Sequence, residues 1–301
     1  MYCKQLPLQY GPVFSGQRVV THPSPIAPQD LRGRRQELIS LIAHRMNACA
    51  RSIREQWTHP QGTTTRHFVI DDLLPASICH AIYQAFPRDG DGFFSRESFR
   101  EKKRTSAHLD AFDPILADIT NAFQNPEIVE QVAGIVGFPQ IEPDPRLYAG
   151  GLSMMFNGDF LNPHIDNSHD SDRNRYRRLN LLYYVAPDWQ LEFGGNFELW
   201  NEARTVPKTI VALANRLVVM ETNKNSWHSV SPVTAERPRC CVSNYYFSEV
   251  SPDATEYFHV TSFTGRPEDK LKRIVGAIDN TLRNVVAKTL KAGRGKELMK
   301  D

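Results

Sequence analysis

The sequence predicts a mainly β fold with flanking helices, its core an antiparallel sandwich or barrel. Three observations carry that expectation. Short apolar runs recur at 152–156, 179–185, 196–200, 209–213, 216–220 and 240–247. Turn-forming residues separate them, as Asn157-Gly158-Asp159 does after the first run, and such residues favour reversals between strands. On either side of this region the apolar residues change to spacings of three and four, the period of a helix.

Taken in order, residues 1–34 are rich in Pro, Gly and Gln, and Pro23, Pro25 and Pro28 disfavour a regular element, so a loose surface arm is expected. Ile39, Ile42, Met46, Cys49, Ile53 and Trp57 then form one apolar face, which predicts a helix over 35–57 packed on the main domain. His67-Phe68-Val69-Ile70 reads as a short strand. Pro75 opens a helix running to Phe86, with Ile78, Ile82 and Phe86 inward, because proline suits a first helical turn. Residues 88–106 carry Gly90, Gly92 and the basic run Arg100, Lys102, Lys103, Arg104. They read as a solvated face, with a mobile flap as the second reading. A helical pattern returns over 113–135 through Ile115, Ile119, Phe123, Ile128 and Val132. Residues 167–178 hold His169, Asp170, Asp172, Arg173 and Arg175 and read as a solvated loop, with a lid or substrate contact as the second reading. Beyond Phe263 the stripe Leu271, Ile274, Val275, Ile278, Leu282, Val285, Val286 predicts a helix that packs on the core or, as the second reading, forms a homodimer contact. The expected organisation is an arm and packing helix (1–64), a β domain (65–262) and a helical extension (263–301).

The chain of 301 residues is long enough to bury a sizeable core. Its hydrophobic content of 41% and charged content of 23% are those of an ordinary globular protein. A net charge of +2 argues against nucleic acid or an anionic membrane as the main partner. No apolar run approaches a membrane span, and residues 1–6 lack the apolar stretch of a secretory signal. Five cysteines are present without a CxxC, and Cys240 and Cys241 are adjacent. Reduced thiols and a cytoplasmic protein are therefore expected, without a thiolate zinc site.

Two stretches carry chemistry. Asn162-Pro163-His164-Ile165-Asp166-Asn167 places an imidazole and a carboxylate two residues apart, on one face if the segment is a strand. Ser226-Trp227-His228-Ser229 adds a second imidazole. His164, Asp166 and His228 make the ligand set of a facial iron site, which leaves coordination positions open. A second copy of the short motif, His108-Leu109-Asp110, lies where no strand is expected on either side. It is a poor candidate, because metal ligands need rigid supports.

Four features in order resemble the iron(II)/2-oxoglutarate-dependent dioxygenases of the prolyl 4-hydroxylase-like branch. They are His164-Ile165-Asp166; the run 181–189 with Gly194-Gly195; Asn215-Arg216-Leu217-Val218-Val219-Met220; and Trp227-His228-Ser229-Val230-Ser231-Pro232, with a basic residue and a Tyr-Tyr-Phe strand after it. The resemblance covers about 66–250. It implies a double-stranded β-helix, a jelly-roll or cupin-like core, and a hydroxylase that uses Fe(II), 2-oxoglutarate and O2. It implies His164, Asp166 and His228 as iron ligands. A cosubstrate carboxylate calls for arginine, whose fork matches it. Arg239 is the first candidate and Arg237 the second; Arg237 precedes Pro238 and so suits a loop. Ser243, on the face of Arg239, and Tyr184 are expected beside the same carboxylate, and Asn180 is a weaker candidate. The retained Asp166 argues against the halogenating variant. Phe156 stands where the family often has a tyrosine, eight residues before His164. With no extended basic or repeat surface, a small-molecule or amino-acid-like substrate is expected; a protein residue, or a non-enzymatic ligand-binding module, are the alternatives.

Overall fold

The computed structural model describes residues 28–148, 150–253, 255–269 and 280. The arm residues 1–27 and the stripe from Leu271 to Val286 lie outside them.

The chain opens with α1 (Pro28–Thr58), then β1 (His67–Ile70), α2 (Ala76–Ala85) and a hairpin of β2 (Phe94–Glu97) and β3 (Glu101–Ser106). Two helices follow, α3 (Pro114–Ala122) and α4 (Pro126–Val136). The β region comprises β4 (Glu142–Pro143), β5 (Gly151–Met155), β6 (Phe160–Ile165), β7 (Tyr176–Tyr184), β8 (Phe197–Trp200) and β9 (Pro207–Ile210). It continues with β10 (Arg216–Glu221), β11 (His228–Val230), β12 (Arg239–Ser248) and β13 (Ser262–Phe263).

The strands join antiparallel in the order β1-β10-β7-β12-β5-β3-β6-β11-β8-β9, with β13 on β6, β2 on β3 and β4 on β12. The sheet curls on itself, so that β7, β12 and β5 face β6, β11 and β8 across a central cavity. This is the jelly-roll, double-stranded β-helix architecture, and the helices pack outside it. Leu38, Ile42, Met46, Ile53 and Trp57 of α1 are buried, and the Trp57 indole N–H donates to the Val136 carbonyl at 3.1 Å.

Several elements differ from the sequence expectation. The first helix begins at Pro28, seven residues before the predicted start at 35, because proline fits a first turn. The 113–135 pattern is two helices. Asn125 caps the second by accepting from the Glu127 N–H, and Pro126 cannot continue the first. The basic segment 88–106 contains the β2–β3 hairpin, and β3 enters the main sheet between β5 and β6. Residues 167–178 are a solvated loop only in part: Asp172 and Asn174 are exposed, but Ser168, His169, Asp170, Arg177 and Arg178 are buried, and β7 starts at Tyr176 rather than near 179.

Two bulges shape the centre. Where β11 meets β6, His228 pairs with His164 but Val230 pairs with Leu161, so β6 carries an extra residue. Pro163, which has no N–H for a ladder, is tolerated there. Where β12 meets β7, Tyr246 pairs with Leu179 and Phe247 with Arg177, which leaves Arg178 as the extra residue of β7. An extra residue re-aims the side chains around it.

Candidate metal and cosubstrate site

His164 and His228 are direct partners across β6 and β11, their ring centroids 4.1 Å apart. Each ring is locked by its own backbone. His164 Nδ1 donates to the Asn162 carbonyl and His228 Nδ1 to the Ser226 carbonyl, both at 2.9 Å. A carbonyl can only accept, so Nδ1 carries the proton and each Nε2 keeps a lone pair. Both lone pairs turn toward Asp166. Nε2 of His164 lies 3.7 Å from Oδ1, and Nε2 of His228 lies 3.5 Å from Oδ2. The candidate donor atoms of all three residues lie within 4.8 Å of one another.

Burial, with the neighbouring His228 second, pulls the His164 pKa from 6.5 to about 3. Burial also lowers that of His228. Both rings are neutral donors at neutral pH. Burial acts to raise the Asp166 pKa, but Arg177 first, then the histidines and Asn180, outweigh it and hold the carboxyl well below its usual range. Two neutral imidazole lone pairs and one ionised carboxylate converge with no proton donor between the Nε2 atoms. That donor set fits a divalent transition metal.

The other end of the cavity holds a cation. Arg239 is the first residue of β12 and 4% exposed. Its guanidinium lies 4.6 Å from the Tyr184 ring, Nη1 contacts the Met155 sulfur at 3.5 Å, and Nε is buried without a partner. Among the described residues no carboxylate lies within ion-pair distance of Arg239. A buried charge without a counter-ion is costly, and the geometry fits an incoming carboxylate. Tyr184 Oη is likewise buried and unpartnered beside it, its pKa raised by burial. Ser243 and Cys241 follow Arg239 at the two-residue period of a strand, and all three line the cavity. The cavity, about 630 Å³ including its open mouth, runs from the His164, Asp166, His228 cluster to Arg239, with Leu161, Leu182 and Val230 as apolar wall.

Two of the sequence candidates sit elsewhere. Arg237 is outside the cavity: its Nη2 donates to the Asp188 carbonyl at 2.8 Å and its guanidinium lies over Phe193. Pro238 puts these two arginines on different paths, one in the loop and one in the strand. Asn180 is in the cavity wall, but its amide serves Asp166, donating to Oδ2 at 2.6 Å. The second motif is a surface turn in which His108 and Asp110 are exposed. Phe156 lies 4.1 Å from the Arg104 guanidinium and does not line the cavity.

Sequence reasoning missed Arg177, Lys103, Thr105 and Tyr245. Arg177 is 2% exposed, with Nη1 3.3 Å from Asp166 Oδ2. Lys103 and Thr105 line the cavity from β3, and Lys103 pairs with Glu101 at 3.2 Å. The alternation Glu101, Lys103, Thr105 was the available signal, hidden by the basic residues interleaved with it. Tyr245, already within the predicted strand, shares the cavity face of Arg239 by the same parity.

Residues 150–247 match the family model described as the 2OG-Fe(II) oxygenase superfamily. A 96-residue stretch is 27% identical to prolyl 3-hydroxylase OGFOD1 of Mus musculus, covering 30% of this chain and 17% of that protein. The chain thus spans about a sixth of that relative's length. A prolyl 4-hydroxylase from Phytophthora capsici superposes with a TM-score of 0.50 at 16% identity, over 83% of this chain and 77% of that one. A Pseudomonas putida prolyl 4-hydroxylase gives 0.49 at 16%, over 67% and 100%. At such identities the first of these likenesses concerns the fold.

Proposed function

We propose, from the premise that residues 150–247 belong to the 2OG-Fe(II) oxygenase superfamily, that this chain is an Fe(II)- and 2-oxoglutarate-dependent hydroxylase. The observation that carries the reading is the pairing of a His-Asp-His cluster with the uncompensated, buried Arg239 in one cavity. His164, Asp166 and His228 would hold the metal. Arg239 would take the distal carboxylate of 2-oxoglutarate, with Tyr184 and Ser243 beside it. Bound iron supplies oxygen activation coupled to oxidative decarboxylation of 2-oxoglutarate to succinate, and with it hydroxylation of an unactivated C–H bond.

The chain's own residues do the positioning. The Nδ1 hydrogen bonds keep both imidazoles in the donating tautomer. The apolar walls Leu161, Leu182 and Val230 keep stray water from the reacting groups. Arg239 sets which way the cosubstrate enters, since the other cation of the cavity wall, Lys103, is already paired with Glu101.

For the substrate we propose an amino-acid-like unit. The prolyl 3-hydroxylase relative makes proline, free or within a peptide, the first compound to test. A cytoplasmic setting accords with the free Cys49, Cys79, Cys240 and Cys241. No helix among the described residues is long and apolar enough to cross a membrane.

The test is an anaerobic titration of metal-free protein with Fe(II) and then 2-oxoglutarate, following the weak visible charge-transfer band of the chelate. The band is expected in wild type, absent in His164→Ala, and present in Arg239→Ala only at higher cosubstrate. Folded wild-type protein without a band would overturn the proposal and leave a ligand-binding β module.

A further inference from the structure

Asp166 is held unequally. Its Oδ2 accepts the Asn180 amide at 2.6 Å and lies 3.3 Å from Arg177 Nη1. Among the described residues Oδ1 accepts no hydrogen bond. Arg177 and Asn180 are three apart on β7, which in a regular strand would put them on opposite faces. The extra residue Arg178 in the β7–β12 register cancels that offset and brings both to the same carboxylate. Neither holder is loose. The Arg177 guanidinium lies 4.1 Å from the Tyr245 ring, and its Nη2 donates to Asn167 Oδ1 at 3.0 Å, tying it to the residue after Asp166. Asn180 pairs with Tyr245 on β12 and Met220 on β10, in the middle of the sheet.

We propose that Asn180 and Arg177 are positioning residues that grip Asp166 through Oδ2, itself 3.5 Å from His228 Nε2, and so fix the orientation in which the carboxylate faces the two imidazoles. The inference rests on the metal site proposed above. A carboxylate held in one orientation meets the metal without reorganising, whereas a free carboxylate can rotate away from the two imidazoles. The β7 bulge is thus a device for orienting a metal ligand from the strand opposite its own. Outer partners of this kind typically change metal affinity by about 10–100-fold when removed.

The test uses Co(II), which is stable in air and visible by its d–d absorption, on the full chain. Asn180→Leu keeps the side-chain volume and removes the donor; Asn180→Ala removes it without adding apolar bulk, should the first variant fail to fold. Melting of the metal-free proteins checks the fold. The expected result is a Co(II) Kd weaker by at least tenfold in the folded variant. Combined with Asp166→Ala, the same substitution is expected to add no further loss, because its effect runs through the carboxylate. A Kd within threefold of wild type, or a loss that adds fully to that of Asp166→Ala, overturns the inference while leaving the metal site intact. Wild-type protein that takes no Co(II) overturns the metal site and the inference together.

Discussion

Gly195 shows how one missing side chain leaves room for Arg239 in the cavity wall. Its φ is +60°, and a Cβ there would lie 2.9 Å from Arg239 Cδ and 3.0 Å from Val233 Cγ2. Gly195→Ala must therefore displace the arginine or its neighbour, on top of about 1–2 kcal/mol of left-handed backbone strain. Loss of one charge-assisted hydrogen bond is worth about 1.5–3 kcal/mol. The expected outcome is at least a tenfold rise in the 2-oxoglutarate Kd with Fe(II) affinity unchanged, read from the same charge-transfer titration. The histidines yield a pH prediction. His164 titrates at about 3 in the fold against 6.5 ordinarily, chiefly through burial, and His228 shifts the same way. Below 6.5 the unfolded chain takes up protons that the folded chain refuses, so stability falls with pH between 6.5 and about 3. Each such imidazole contributes up to about 1.4 kcal/mol per pH unit. The denaturant midpoint of metal-free protein should drop between pH 7 and 5. A His164→Gln variant should drop less, and equal drops would contradict the burial of a neutral ring.

At the scale of the element, the strands were legible because their alternation is strong: the runs at 152–156, 196–200 and 240–247 correspond to β5, β8 and β12 with shifts of a residue or so. His164, Asp166 and His228 could be paired because two residues of strand return a side chain to the same face. The misses share a cause. In β3, Lys102 and Arg104 alternate with Glu101, Lys103 and Thr105, so both faces are polar and the two-residue period has no hydrophobic contrast to reveal it. At the start of β7 the polarity of Tyr176, Arg177 and Arg178 conceals buried guanidiniums stacked on Tyr245 and Phe138. A bulge leaves no local mark in a sequence, since it is a property of two strands together. That is why strand parity placed Asn180 on the cavity face but gave no sign that Arg177 joins it on Asp166.

At the scale of the molecule, the chain returns to the metal face after leaving β12. Strand β13 pairs with β6 beside His164 and Ile165, and the Phe263 ring stacks on the His164 ring at 5.2 Å and 19°. Three residues on, Arg266 forks onto Glu198 of β8, with Nη2 at 2.7 Å from Oε2 and Nη1 at 3.3 Å from Oε1. The same carboxylate accepts the Ser229 hydroxyl, which in turn accepts the Trp200 indole N–H at 2.8 Å. Residues 263–266 are thus fastened to the strands that carry His164 and His228. Both partners of the ion pair are largely buried, so its value lies in the cost of breaking one half: about 3–5 kcal/mol when a buried charge loses its partner. Glu198→Ala should lower stability by that order, measured by denaturant unfolding. It should also weaken Co(II) binding, because Phe263 then loses its anchor over His164. Replacing both partners, Glu198→Met with Arg266→Met, removes the stranded charge and should recover most of the stability. If the single variant is as stable as wild type, the pair does not fasten this segment. If stability falls while Co(II) affinity holds, the segment is fastened there but does not support His164.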